Sequence, residues 1–85
     1  MDNDQNWLSP KSPPTSNDPL ADTVAVFLLY EDDFILNGFF ILPQGKGDEG
    51  LFMSALFMTT DAYTKEFLAP YRNEQIKLVG WRLAN

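Results

Sequence analysis

Val24-Ala-Val-Phe-Leu-Leu-Tyr30, Glu31-Asp-Asp33 and Phe34-Ile-Leu-Asn-Gly-Phe-Phe-Ile-Leu42 follow one another without a break. The first run is apolar at all seven positions and rich in strand formers, so it reads as a strand buried on both faces or nearly so, although a short buried helix has no different period. Three successive carboxylates then suit a turn far better than a strand. The second apolar run resumes the strand. Inside it Asn37-Gly38 is the strongest two-residue hairpin signal in the chain, because both residues tolerate positive φ. A hairpin turning there would have arms of only about four residues, so the preferred reading puts the turn at 31–33 and a β-bulge at Asn37-Gly38. The register that turns at Asn37-Gly38 is the alternative.

Downstream, Pro43-Gln-Gly-Lys-Gly-Asp-Glu-Gly50 is a loop by composition. Leu51 to Met58 is an apolar run of eight and predicts a third strand, ended by Thr59-Thr60. A short helix follows. Thr60 suits its N-cap, Asp61 its dipole, Asp61 and Lys65 an i,i+4 pair, and Tyr63, Phe67 and Tyr71 an apolar stripe. Pro70 disfavours the α conformation at Ala69, which limits the helix to about nine residues. Gln75 to Leu83 predicts a last strand. The expected fold class is α+β: a small, mostly antiparallel four-stranded sheet with one short helix.

Upstream the composition changes near Thr23. Residues 1–22 hold four of the six prolines and only five apolar residues, whereas residues 23–85 hold 33 apolar residues among 63. Too little can be buried in the first segment to offset its ordering entropy, so 1–22 is expected to be a disordered, Pro-rich acidic arm and 23–85 the compact domain. Its four aspartates and lack of an apolar stretch do not fit a signal peptide. Glu31, Asp32 and Asp33 interrupt the most apolar stretch and make a membrane span too costly. A cytoplasmic protein without membrane contact is the expectation.

The chain contains no cysteine and no histidine, which removes disulfides, thiolate catalysis, the usual structural zinc sites and the commonest general base. Catalytic, metal and cofactor residues are therefore expected to be none. Gly45-Lys-Gly-Asp-Glu-Gly50 matches the spacing of a dinucleotide-binding loop, but Asp48 and Glu49 would repel a phosphate and 63 residues leave no room for the full βαβ context. Glu31-Asp32-Asp33 could supply oxygen ligands, yet consecutive residues on an extended chain point to alternate sides, which favours a solvated turn. Twelve aromatic residues raise the question of base stacking. Nucleic-acid binders set such residues in a basic groove, and a net charge of -6 has the opposite sign. No direct nucleic-acid binding is expected.

What remains is a surplus of apolar surface. Three strands apolar at nearly every position need cover on both faces, and one short helix covers part of one. The expectation is a non-catalytic protein–protein interaction module, an adaptor, small subunit or inhibitor, binding a protein partner or forming a homodimer through an apolar sheet face. Phe39, Ile41, Phe52 and Phe57 are the candidates for that face. Trp7 and Leu8, apolar residues without a core of their own, are candidate anchors for a partner groove. The alternative from another class is an acidic nucleic-acid mimic that inhibits a DNA- or RNA-handling enzyme, carried by Glu31, Asp32, Asp33, Asp48 and Glu49 on one surface.

Overall fold

The computed structural model describes residues 7–84. Four strands, β1 (Thr23–Tyr30), β2 (Ile35–Ile41), β3 (Leu51–Met53) and β4 (Leu78–Leu83), form one antiparallel sheet in the order β3-β2-β1-β4. A short 3-10 helix, Ala55–Met58, and one α-helix, α1 (Ala62–Arg72), complete the expected α+β architecture.

The chain reverses at 31–33. Asp33 N–H donates to Tyr30 O at 2.8 Å and Tyr30 N–H to Phe34 O at 2.9 Å, enclosing a three-residue loop. Asp33 closes it at φ 70°, the left-handed position such loops require and aspartate tolerates. From there β1 and β2 pair without interruption from Leu29↔Ile35 to Thr23↔Ile41. The bulge expected at Asn37-Gly38 is absent. Gly38 is there for close packing: a Cβ on it would come within 2.6 Å of both the Leu28 side chain and the Met53 carbonyl. The irregularity falls in the β1–β4 pairing, where Leu29 and Tyr30 oppose Gly80 and Leu78 and leave Val79 as the extra residue.

The expected strand 51–58 ends at Met53. Ser54, fully buried, donates its hydroxyl to Asn37 O at 2.9 Å and accepts from Leu56 N–H at 3.2 Å, so it caps the 3-10 helix and turns the chain off the sheet. Asp61, rather than Thr60, caps α1; its carboxylate accepts from Thr64 N–H at 2.9 Å and from the Thr64 hydroxyl, in place of the expected pairing with Lys65. The helix also runs through Pro70 to Arg72. A proline in the last turn removes a single N–H, and the two residues it admits include Tyr71, which packs on Tyr30 and Phe34 with ring centroids 5.0 and 4.8 Å apart. Leu68 is the helix's buried residue, whereas Tyr63 and Phe67 of the expected stripe are exposed.

One face of the sheet carries the core. Val26, Leu28 and Tyr30 of β1, Leu36 and Phe40 of β2 and Trp81 of β4 are buried there with Leu68. Each such side chain contributes about 1.5–3 kcal/mol through burial. Of the arm expected to be disordered, residues 1–6 lie outside the described residues, and 7–22 make defined contacts. Leu8 forms a two-bond antiparallel bridge with Trp81, at 2.8 and 3.0 Å, and Pro14 is buried. The Trp81 indole N–H, inside the core, donates to the carbonyls of Ser9 and Ser12 at 3.0 and 3.1 Å. A segment with few apolar residues is thus held by its backbone.

Candidate interaction surface

Side chains alternate along a strand, so the register that buries Val26, Leu28, Leu36 and Phe40 sends their neighbours to the other face. From the pairings, that face receives Thr23, Ala25, Phe27 and Leu29 from β1, Ile35, Asn37, Phe39 and Ile41 from β2, Leu51 and Met53 from β3, and Gly80 and Arg82 from β4. No described element packs across it. Ile35 and Leu51 are about half exposed, at 48% and 50%, and Phe27, Leu29, Phe39, Ile41 and Met53 are partly so. Arg82 is the sole charged residue in the four strands. Its guanidinium lies 4.7 Å from the centre of the Trp7 ring and 5.5 Å from that of Phe27, within cation–π range of both. Trp7 reaches this position because Leu8 is pinned to Trp81 and because Gly80, whose Cβ would stand 3.1 Å from the Trp7 Cβ, leaves room.

The acidic residues singled out by sequence lie elsewhere, and Glu31, Asp32 and Asp48 are bound into turns. Glu31 N–H donates to Lys77 O at 2.9 Å, and a Glu31 carboxylate oxygen accepts from Lys77 N–H at 3.0 Å, joining the turn to the start of β4. Asp32 accepts from Phe34 N–H at 3.1 Å and from the Tyr71 hydroxyl at 2.6 Å. The Tyr71 hydrogen bond, aided by the N–H of Phe34, holds the Asp32 carboxyl below the usual range, while Asp32 raises the Tyr71 phenol. Asp48 accepts from Gly50 N–H at 2.9 Å and Gln44 N–H at 2.8 Å, and these two bonds lower its pKa. The glycine-rich loop therefore uses its inward N–H groups on its own aspartate, and it leads into a strand where a phosphate-binding loop would open a helix. Among the described residues no group of three acidic side chains is gathered closely enough to hold a metal ion.

Of the residues singled out by sequence, Trp7, Phe39 and Ile41 come together on the open face. Leu8 lies at the sheet edge beside β4, half exposed. Phe52 and Phe57 belong to the covered face, where they pack against the core. Glu31, Asp32 and Asp33 sit at one end of β2 and Asp48 and Glu49 beyond the other, roughly 20 Å apart along a seven-residue strand, so they do not share one surface. Phe27, Leu29, Met53 and Arg82 were missed as members of the open face. Counting pairs outward from a turn centred on Asp32 would have placed the first two opposite Asn37 and Ile35.

No protein-family model, curated protein sequence or solved structure matches this chain. Among the described residues no helix is long and apolar enough to cross a membrane.

Proposed function

We propose that this chain is a non-catalytic protein-interaction module whose open sheet face pairs with the same face of a second copy. The observation that carries the reading is a face that no described element packs across, apolar at eight of its twelve strand positions and without a carboxylate in any strand. The strands, about 4.8 Å apart, project a face on the order of 400 Å², comparable to the largest apolar patches of ordinary monomers, which are often functional. A patch whose one strand charge, Arg82, sits to one side on β4 and is flanked by Trp7 and Phe27 can meet its own copy over the apolar remainder, which suits a two-fold arrangement. The nucleic-acid mimic draws less support, because its carboxylates stand at opposite ends of the sheet and three of the five, Glu31, Asp32 and Asp48, accept turn hydrogen bonds.

Light scattering at micromolar concentration tests this. The wild type should run as a dimer and Phe39→Asp, which places a charge at the centre of the face, as a folded monomer. A monomeric wild type at that concentration would remove the reading.

A further inference from the structure

The covered face is not completely filled. Between the sheet, the 3-10 helix, the end of α1 and the segment around Pro10 and Pro13 runs a cleft of about 620 Å³, a volume of the order usual for binding clefts. One wall is the chain's own proline-rich segment, and its contacts show what chemistry this face holds. Ser9 and Ser12 flank a turn at Pro10-Lys11, closed by Ser12 N–H donating to Ser9 O at 2.9 Å. Both of their carbonyls accept from the Trp81 indole N–H, at 3.0 and 3.1 Å. Pro10 and Pro13 line the cleft, and Pro14 is buried. An aromatic donor on main-chain carbonyls, with prolyl rings packed nearby, is how aromatic grooves take proline-rich chain, whose carbonyls lack partners of their own and whose ordering costs little entropy.

The rest of the cleft repeats these parts. The Phe52 ring lies 6.3 Å from that of Trp81 and continues the aromatic surface, which Phe57 and Leu78 extend. Beside the 31–33 turn stands a second aromatic donor. Tyr30 is only 4% exposed, yet among the described residues its hydroxyl has no hydrogen-bond partner. The neighbouring phenol, Tyr71, donates to Asp32 instead. A buried hydroxyl without an acceptor is uncommon and unfavourable, so it implies an acceptor supplied from outside the fold. Burial, with a smaller contribution from Tyr71, pushes the Tyr30 phenol up to about 12, which keeps it a donor at neutral pH.

Charges of both signs border the Tyr30 end, Arg72 and Lys77 against Glu31, Asp32, Asp33 and Glu74. The cleft therefore attracts no anion, and its aromatic lining and hydroxyl set the chemistry of what it takes. The chain has no second proline run to offer: Pro19 and Pro43 stand singly, and Pro70 lies inside α1.

We propose that the cleft takes an uncharged proline-rich segment of another protein, laid beside the chain's own residues 9–14, with a main-chain carbonyl accepting from the Tyr30 hydroxyl and prolyl rings against Phe52, Phe57 and Leu78. The site is on the face opposite the pairing surface, and its occupancy is measured without reference to oligomeric state.

Titration with a capped octaproline and a capped Gly-Ser peptide of the same length, followed by amide chemical shifts, tests the assignment. Octaproline should shift the amides of Phe52, Phe57 and Leu78 saturably and leave those of Ile35 and Phe39, on the open face, unmoved. The Gly-Ser peptide should bind about tenfold more weakly. Tyr30→Phe should lower octaproline affinity about fivefold, the effect of one hydrogen bond. It should leave the Tm unchanged or higher, because the hydroxyl it removes has no partner in the free protein. Affinity should hold between about 0.01 and 0.15 M salt, since the peptide is uncharged. The Leu8 amide, bonded to Trp81 O, should stay protected from exchange, since the peptide lies beside the chain's own segment and does not replace it. No saturable shift at the cleft amides, equal binding of the two peptides, affinity that falls with salt, a Tyr30→Phe protein with full affinity or a lowered Tm, or loss of Leu8 protection on binding would each overturn the proposal.

Discussion

At Gly38 the strand β2 runs between the Leu28 side chain and the Met53 carbonyl with no room for a methyl group. Gly38→Ala should therefore destabilise the fold by about 1–3 kcal/mol, since one of the obstacles is backbone and cannot rotate away. Gly45→Ala, in the loop where a Cβ meets nothing within 4 Å, should change stability little. Chemical denaturation of the two variants checks the contrast. The acidic residues make a second prediction at this scale. Tyr71 for Asp32, Gly50 for Asp48 and Thr64 for Asp61 are the leading causes that lower these three carboxyl pKa values in the folded state. A depressed folded pKa contributes stability above the unfolded value of about 3.9, and that contribution is lost as pH falls through the folded value. Stability should thus decline below about pH 4, and less steeply in the triple variant Asp32→Asn, Asp48→Asn, Asp61→Asn. Tyr30 acts at the other extreme. Its folded pKa of about 12 lies above the ordinary value of 10.0, so stability should fall between those two values as the unfolded chain loses its proton first. Urea titrations across pH report both limbs, and a flat acid limb in the wild type would contradict the first.

The elements differ in how plainly their sequences announced them. β1, β2 and the 31–33 turn were legible because long apolar runs flank three carboxylates, although Asn37-Gly38 left a second register open that only the close packing at Gly38 accounts for. The Leu51–Met58 run was not, since a buried strand and a turn packed on the core are equally apolar; Ser54, a polar residue inside it, was the available signal. Pro70 misled for a related reason: its local effect is real, but the packing of Tyr71 outweighs one absent hydrogen bond at the end of α1. Composition also hid the segment 7–14, which is held by main-chain carbonyls and the Leu8–Trp81 bridge, contacts that leave no trace in a hydrophobicity count. Trp7, though quoted from the start, reached the open face only through that bridge. The segment's attachment can be tested directly. Trp81→Phe removes the indole donor from two carbonyls and should cost about 2 kcal/mol, combining lost hydrogen bonds with a smaller ring. It should also free the segment, so that the Leu8 amide, protected in the wild type by Trp81 O, exchanges rapidly in the variant. A Leu8 amide already exchanging at the rate of an unstructured chain in the wild type would show that the bridge does not persist in solution.

For the whole molecule, net charge and the open face act in opposite directions, and their balance has a measurable sign. Each copy carries a formal charge of -6, so a pair brings together twelve uncompensated negative charges. Yet the face proposed to pair has no carboxylate in its strands, and its arginine is flanked by Trp7 and Phe27. The attraction is then apolar and short-ranged, and the repulsion comes from charges at the ends of the sheet, such as the 31–33 turn and the Asp48-Glu49 loop. Salt screens exposed charges beyond a Debye length of about 10 Å at 0.1 M and about 30 Å at 0.01 M, while burial of apolar surface is not weakened by it. Self-association should therefore tighten as sodium chloride is raised from about 0.01 to 0.15 M, the reverse of an interface built on ion pairs. Neutralising Asp32 and Asp33 together should tighten it at low salt and reduce its salt dependence, because those residues contribute only to the repulsion. Sedimentation equilibrium at several ionic strengths measures this, and a dimer that loosens as salt rises would mean that charged groups rather than the open face hold the two copies together.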